Sequence, residues 1–173
     1  MNLNEKTLVE NYVYKGKILK LKNDKVILPN GNTSFREIVV HGGGSSIYCE
    51  KDNKVLMVKQ FRYAYNKELL EIPAGKLNEG EYPLQTAKRE LEEECGVIAN
   101  KLTKVFEVYP SPGYTNEVIS IFKAEDIVEG KQNLDDDEFL TCCWIEKDKL
   151  KQMIEKGEIK DSKTLIALLY FIK

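Results

Sequence analysis

The chain has 173 residues and a mass of 19.9 kDa, which corresponds to one globular domain of ordinary size. Its 26 basic and 28 acidic residues give a net charge of −2, which argues against a protein that binds nucleic acid through a global basic field. The mean hydropathy of −0.40 and the lack of a long apolar run argue against a transmembrane helix and against a membrane partner. The first residues contain no apolar segment typical of a signal peptide, and we therefore expect a cytoplasmic protein.

The first 40 residues predict β structure. Apolar and β-branched residues occur in runs on both sides of Pro29-Asn30-Gly31, a sequence typical of a tight turn, and residues 36–40 predict the strand that follows it. Three glycines at 42–44 then mark a boundary. We therefore predict an N-terminal β segment over residues 1–41 and a main domain over residues 42–173.

Strands and helices alternate in the main domain. Six apolar runs predict strands, and the first two flank a polar turn typical of a hairpin. These runs cover residues 46–49, 54–61, 69–73, 104–109, 117–124 and 139–146. We predict helices at 83–95, 147–157 and 163–172. The first begins at a proline and ends before a glycine, and Asp161 or Ser162 is expected to cap the third.

The cysteines and the single histidine limit the possible metal chemistry. Because no two of the cysteines form a CxxC pair, buried reduced thiols are favoured over a disulfide framework or a thiolate zinc site. These residues are Cys49, Cys95, Cys142 and Cys143. His41 is the only histidine, which excludes a multi-histidine metal site. A cation site in this chain would therefore need carboxylate ligands, the oxygen donors that suit Mg²⁺ or Mn²⁺.

The helix predicted at 83–95 gathers three carboxylates on one side. Glu90, Glu93 and Glu94 have the spacing i, i+3 and i+4, so they are neighbours on the helix surface. The predicted core face consists of Leu84, Ala87, Leu91 and Cys95. A run of acidic residues is usually a solvated face, and the alternative is a divalent-cation site in which the cation removes the repulsion between the carboxylates.

The wider context favours the cation site. Residues 75–97 read GKLNEGEYPLQTAKRELEEECGV and match the pattern GX5EX7REUXEEXGU at every fixed position, with Leu91 and Val97 as the apolar residues U. This string resembles the signature of the Nudix hydrolases. The resemblance implies a mixed α/β (α+β) fold, an α/β/α sandwich around a mixed central sheet, preceded by a small N-terminal antiparallel β segment. It also implies that residues 42–173 are the catalytic domain, which hydrolyses a nucleoside diphosphate linked to another group with Mg²⁺, or Mn²⁺ in its place.

The same resemblance implies the metal ligands. Glu90 and Glu94 are expected to bind the metal, together with the backbone carbonyl of Ala74, which precedes the first glycine of the signature. Glu93 is expected to be a further ligand or an assistant in catalysis.

Two further residues complete the expected catalytic machinery. Arg89 can pair with Glu81 or Glu93 and so hold the ligands in place. A general base must be a carboxylate because no suitable histidine exists. The resemblance implies that Glu138, in the acidic stretch LDDDEFL, is this base, with Glu93 as its competitor.

Features outside the signature narrow the substrate. Pro112, in the SPG loop at 111–113, lies 16 residues after Gly96 (112 − 96), a spacing that resembles the marker of ADP-ribose pyrophosphatases. The strings LPNG…REIV, VKQFR, EIPAGKL and DDDEF resemble the same subfamily over nearly the whole chain. The expected reaction is the hydrolysis of ADP-ribose to AMP and ribose 5-phosphate. A Nudix enzyme for a nucleotide sugar or NADH, and a catalytically silent ADP-ribose sensor, remain alternatives.

Arginine is scarce in this chain. Only Arg36, Arg62 and Arg89 occur among the 26 basic residues, and arginine is the residue that suits planar, bidentate binding of phosphate. The resemblance to the ADP-ribose pyrophosphatases implies that Arg36, Arg62 and Pro112 contact the substrate. The alternatives are surface ion pairs for the two arginines and an ordinary turn residue for Pro112. The aromatic residue that stacks on adenine stays open among Tyr12, Tyr14 and Tyr114.

The N-terminal β segment has strand edges that need a cover. The resemblance implies that a second copy of the chain provides it in a homodimer, in which Arg36 reaches a site shared between chains. The remaining expected partner is the small nucleotide substrate, with no nucleic acid and no membrane.

Overall fold

A computed structural model describes residues 2–172, and these residues form two compact units. The N-terminal unit comprises the chain up to Gly43 together with Tyr109–Val118, and the main unit comprises Gly44–Val108 and the chain from Ile119 onwards. None of the helices within residues 2–172 has the length and apolar character needed to cross a membrane.

The N-terminal unit is built on a four-stranded antiparallel sheet. Its strands are β1 (Lys6–Val9), β2 (Tyr12–Lys15), β3 (Leu19–Ile27) and β4 (Thr33–His41). β4 pairs with the whole of β3, and β1 and β2 pair with different parts of β3. The predicted turn joins β3 to β4, and Gly31 adopts there a φ of 86°, which favours glycine. Strand β1 was not predicted, since all four of its residues are exposed and carry no alternating pattern.

The main unit contains a seven-stranded mixed sheet. Its strands are β5 (Gly44–Lys51), β6 (Lys54–Arg62), β7 (Lys67–Glu71), β8 (Ala74–Lys76), β9 (Val97–Val108), β10 (Ile119–Glu129) and β11 (Leu140–Glu146). The main order is β11-β6-β5-β10-β9, with β7 beside β6 and β8 beside β5. Strands β5 and β10 run parallel and the other pairs antiparallel, so the predicted mixed sheet and the predicted β5–β6 hairpin are confirmed.

Helices cover both faces of this sheet. They are α1 (Pro83–Cys95), α2 (Lys147–Glu155) and α3 (Ser162–Phe171). On one face Ile47 packs in a core with Leu91 of α1, and on the other face Tyr48 packs with Leu150 of α2 and Leu168 of α3. Ile47 and Tyr48 are adjacent on one strand, so they point to opposite sides of the sheet. The α/β/α sandwich is thereby confirmed.

The ends of the helices follow local sequence signals. Helix α1 begins at Pro83 and ends at Cys95, and the next residue, Gly96, stops the helix with a φ of 61°. Asp161 caps α3 by accepting a hydrogen bond from the Thr164 backbone N–H at 3.0 Å. The placement of Leu84 in the core was wrong: this residue is 42% exposed, because it lies in the first turn of α1. Strand β8 was also missed, since three residues after a proline carry no periodic pattern.

Candidate functional site

Helix α1 packs its acidic side against strand β8. A Cβ atom on Gly75 would lie 1.8 Å from the carboxyl group of Glu90, so a larger residue at this position would displace that carboxyl group. The Ala74 backbone N–H donates a hydrogen bond to Oε2 of Glu94 at 3.0 Å. The first glycine of the signature therefore allows the strand and the helix to approach closely.

Glu90 and Glu94 are buried rather than solvated. Their exposed fractions are 7% and 3%, which overturns the interpretation of this helix side as an ordinary surface. Burial is the main cause that raises the pKa of both carboxyl groups, that of Glu94 to about 8. The charge of Glu90 raises the pKa of Glu94 further. Two carboxyl groups whose ionisation is unfavourable are thus held together in a poorly solvated place.

Arg89 connects the remaining acids of the signature. Its guanidinium donates to both carboxylate oxygens of Glu81 at 3.0 Å, to Glu90 at 2.8 Å and to Glu93 at 2.9 Å. The hydrogen bonds from Arg89 lower the pKa of Glu81 to about 2. The sequence analysis left Glu81 and Glu93 as alternative partners of Arg89. The structure shows that Arg89 contacts both of them, and Glu90 as well.

We name Glu81, Arg89, Glu90 and Glu93 the Arg89 cluster. Three carboxylates share one guanidinium in it, and Glu94 adds another acid next to Glu90, so the site is deficient in positive charge. Carboxylate oxygens are hard donors that fit a divalent cation such as Mg²⁺. Within residues 2–172, however, no three acidic, histidine or cysteine side chains form a ready-made metal site. The donor set fits a cation that also takes oxygen ligands from the main chain, water or substrate.

Glu138 lies on the loop between β10 and β11. Its backbone N–H donates to the carbonyl of Asp135 at 2.9 Å, which closes a turn, and its side chain is half-buried. Its negative charge raises the pKa of both Glu90 and Glu94. This loop therefore brings the predicted base into electrostatic range of the predicted metal ligands.

Arg62 lies at the end of β6 in an ionic cluster. Its Nε and Nη2 atoms donate to the two oxygens of Glu71 at 2.6 and 2.7 Å, and Nζ of Lys163 donates to Glu71 Oε2 at 2.5 Å. The sequence did not single out Glu71 or Lys163. The signal that could have found Glu71 is a charged residue in the apolar run LLEIP, where a buried acid needs a partner.

Arg36 and Pro112 lie in the N-terminal unit. Arg36 forms a bidentate ion pair with Glu5, in which Nε donates at 2.9 Å. Pro112 is exposed in a turn closed by hydrogen bonds from Tyr114 and Thr115 to the Ser111 carbonyl.

One cavity of about 550 Å³ connects these two predictions within the N-terminal unit. It is lined by Asn23, Phe35, Arg36, Glu37, Gly113 and Tyr114. Arg36 and the SPG loop therefore share a cavity with two exposed aromatic rings. Of the three tyrosines left open, Tyr114 lines this cavity, whereas the ring of Tyr12 is covered by the ammonium of Lys15 at 4.7 Å.

Two family models match the chain. A NUDIX domain matches residues 42–168, and a nucleoside diphosphate sugar hydrolase N-terminal domain matches residues 5–39. The solved structure of an ADP compounds hydrolase superposes with a TM-score of 0.85 at 19% identity, covering 98% of this chain and 93% of that chain. This likeness confirms the fold.

Curated relatives match almost the full length. The chain is 42% identical to the ADP-ribose pyrophosphatase of Bacillus subtilis (strain 168), over 98% of this chain and 93% of that protein. It is 41% identical to the methanol dehydrogenase activator of Bacillus methanolicus, over 96% of this chain and 91% of the relative. It is 32% identical to the ADP-ribose pyrophosphatase of Mycobacterium tuberculosis (strain ATCC 25618 / H37Rv), over 94% of this chain and 81% of that protein. With its complete signature over residues 75–97 and a matching domain model over most of its length, the chain belongs to the Nudix hydrolase family.

Proposed function

We propose that this chain hydrolyses the diphosphate of ADP-ribose and releases AMP and ribose 5-phosphate. The observation that carries the proposal is the buried pair Glu90 and Glu94 in a complete Nudix signature, where the guanidinium of Arg89 faces more than one carboxylate. Two of the curated relatives are ADP-ribose pyrophosphatases, and both match over most of their length, which supports this choice of substrate.

Nudix hydrolases generally need a divalent metal ion. We propose Mg²⁺ for this chain, with Mn²⁺ as a substitute, held by Glu90, Glu94 and the backbone carbonyl of Ala74, with Glu93 as a further ligand or assistant. When bound, such a cation would offset the negative charge of the phosphates and lower the pKa of a water molecule bound to it. Arg89 restrains Glu90 and Glu93 through the hydrogen bonds described above, so that the ligands keep their positions when the substrate arrives.

Glu138 is the proposed general base. A carboxylate on a loop close to the acidic side of α1 can accept the proton of the water that attacks the diphosphate. Its effect on the pKa values of Glu90 and Glu94 supports this nearness. Arg62 is proposed to bind the diphosphate oxygens, since its planar guanidinium is the donor that suits them.

The cavity of the N-terminal unit is proposed to hold the nucleoside. Arg36 supplies charge, Pro112 shapes the loop that forms one wall, and the rings of Phe35 and Tyr114 offer faces on which a purine can stack. This proposal selects Tyr114 among the tyrosines that the sequence left open.

We also propose that the active form is a homodimer in the cytoplasm. The N-terminal sheet leaves large apolar side chains exposed, among them Val9, Val13, Tyr14 and Ile18, and a second copy would cover them. Four free cysteines suit a reducing compartment. A monomeric mass in solution at micromolar concentration, together with full activity, would contradict the dimer.

Product analysis tests the activity. The purified protein is incubated with ADP-ribose and Mg²⁺, and the products are separated and identified. We expect AMP and ribose 5-phosphate, and we expect Glu138→Gln, prepared in the same way, to form them far more slowly. Equal concentrations of GDP-mannose and NADH serve as competing substrates, because a GDP-mannose pyrophosphatase from Enterobacter sp. (strain 638) is also 31% identical to this chain. Faster turnover of either compound, or intact ADP-ribose, would overturn the proposal.

A further inference from the structure

A compact ionic cluster lies behind Arg62. It consists of Arg62, Glu71, Asp161 and Lys163, and we name it the Arg62 cluster. Lys163 contacts Glu71 at 2.5 Å and Asp161 at 2.9 Å, while Arg62 binds both oxygens of Glu71. Its two cations and two carboxylates make the cluster neutral.

Glu71 and Lys163 are far more buried than ionic residues usually are. Glu71 is 1% exposed and Lys163 is 8% exposed, whereas the side chain of Arg62 is 39% exposed. A buried carboxylate is stable only when its oxygens are satisfied, and Glu71 uses both of them on these two cations. Burial opposes the ionisation of Glu71, but the hydrogen bonds and charges of Arg62 and Lys163 outweigh it and lower its pKa. The guanidinium is thus fixed along one edge, and its other edge is free for a ligand.

The N-terminal turn of α3 holds the cluster in place. Asp161 caps this helix and binds Lys163, and Thr164 in the same turn accepts a hydrogen bond from the Ile72 backbone N–H at 2.9 Å. Residues 71 and 72 at the end of β7 are therefore tied to neighbouring positions of α3. Two residues further along the chain, the Ala74 N–H contacts Glu94.

We propose that Lys163 is a positioning residue for substrate binding: it holds Glu71, and Glu71 orients the guanidinium of Arg62 towards the diphosphate. The inference rests on the proposed function, because it takes Arg62 as a phosphate ligand. Without Lys163, Glu71 has one cation for two oxygens and Arg62 loses its fixed support. The guanidinium then samples more orientations, so that binding the diphosphate has to order it. The chemical step depends on other residues and is unaffected.

A double-mutant cycle tests this coupling with ADP-ribose and Mg²⁺. Arg62→Lys keeps a cation on Glu71 but lacks the planar fork, and Lys163→Met removes the support. We expect each single variant to raise KM about tenfold with kcat within about threefold of wild type, and the double variant to be no worse than Arg62→Lys within about twofold. Lys163→Arg retains the positive charge, so its KM should be close to that of wild type. The matched control is Lys160→Met, an exposed lysine that precedes the same helix.

The outcomes separate this proposal from the proposed function. Effects on KM that multiply in the double variant would show that Lys163 acts independently of Arg62, which overturns the positioning role. An unchanged KM in Arg62→Lys overturns it as well, while wild-type hydrolysis of ADP-ribose leaves the proposed function standing. Wild-type protein that leaves ADP-ribose intact overturns both. If Lys163→Met does not fold, Lys163→Gln enters the same cycle, because it removes the positive charge from Glu71 and is more polar than methionine.

An independent observation concerns two thiols next to the metal ligands. The Sγ atoms of Cys95, the last residue of α1, and Cys142, in β11, lie 2.8 Å apart. The Cys142 thiol also donates to the Glu94 carbonyl at 3.0 Å. Cys95 is among the residues that line a cavity of about 360 Å³. Both thiols are only partly buried and are free.

We infer that Cys95 and Cys142 are a modification site for peroxide, which converts them into a disulfide that slows hydrolysis. One of the two sulfurs attacks one peroxide oxygen, the O–O bond breaks, and a sulfenic acid and one water result. The other sulfur then displaces the sulfenic hydroxyl, which leaves as a second water. Both sulfurs are oxidised, hydrogen peroxide is reduced, and the two thiol protons end in the waters. Cys142 thereby loses the hydrogen that it donates to Glu94, and the end of α1 becomes tied to the strand that follows Glu138.

Mass spectrometry and activity together test the thiol site. After hydrogen peroxide treatment, we expect an intact mass lower by about 2 Da, a peptide that links Cys95 to Cys142, and activity that falls by roughly threefold or more and returns with dithiothreitol. Cys142→Ser, whose hydroxyl can still donate to Glu94, should resist the treatment. Cys143→Ser is the matched control and should respond like wild type, since its side chain packs in the other core. A missing disulfide, or equal inactivation of Cys142→Ser, would overturn the inference.

Discussion

The Arg89 cluster and the Arg62 cluster use the same residue types for opposite purposes. The Arg89 cluster sets three carboxylates against one guanidinium, with Glu94 next to it, whereas the Arg62 cluster balances two carboxylates with two cations. A buried site with excess negative charge is unfavourable until a cation from outside completes it. A balanced site needs nothing from outside and can serve as a rigid support. This difference supports the proposals that the Arg89 cluster binds a cation and that the Arg62 cluster holds its neighbours in place.

Removal of divalent metal should give the largest effect, because the Arg89 cluster and Glu94 have no internal substitute for it. We expect excess EDTA to abolish ADP-ribose hydrolysis and millimolar Mg²⁺, or less Mn²⁺, to restore it. The rate of AMP release, followed before and after chelation, measures this. Undiminished hydrolysis in EDTA would contradict the need of the Arg89 cluster for a divalent cation.

Glu138→Gln should give the next largest effect. The variant keeps the size of the side chain but cannot accept a proton, so kcat should fall by roughly 10²–10⁴ while ADP-ribose still binds in the presence of metal. Added Mn²⁺ should give no rescue, because the missing function is proton transfer. Single-turnover rates and calorimetric binding measure the two parts separately. A variant within threefold of wild type would move the base assignment to Glu93.

Glu94→Gln should remove much of a pH dependence of stability in the metal-free protein. Burial raises the pKa of Glu94 to about 8, so its contribution to stability is complete below the usual pKa near 4.5 and is lost as the pH rises through about 8. We therefore expect wild-type protein in EDTA to be less stable at pH 8 than at pH 5, and Glu94→Gln to lose much of this slope. Urea unfolding at both pH values measures it.

The same variant should also lose activity and metal affinity together, with partial rescue by Mn²⁺.

Glu81→Gln should give the smallest effect, a loss of about 1 kcal/mol in the free energy of unfolding. The hydrogen bonds from Arg89 lower the pKa of Glu81 to about 2, so this contribution is present above about pH 4.5 and is lost as the pH falls towards 2. Acid unfolding of wild type should therefore be steeper in this window than that of the variant. Glu79→Gln, an exposed neighbour, is the control, and an identical acid response of all three proteins would contradict the role of this pair.

Much of the fold and part of the candidate site could be read from local sequence. Helix α1, its end at Gly96 and the β5–β6 hairpin depend on contacts between residues close in the chain, for which periodicity and turn residues are sufficient. Strand β9 begins before its predicted start at 104, and strand β10 continues past its predicted end at 124, because pairing between these two strands includes residues without an apolar pattern.

The sequence by itself determined the family, the helix that carries the acidic residues and the chemistry that those residues suit, because the signature is contiguous and its spacing fixes which side chains are neighbours. Only the tertiary structure decided which of the acids are buried, and which basic residue each one meets. Glu71 and Lys163 are 92 positions apart and Cys95 and Cys142 are 47 apart, and no local pattern relates them. Contacts of this kind arise when strands and helices pack together, and burial then sets the charge that each residue can carry.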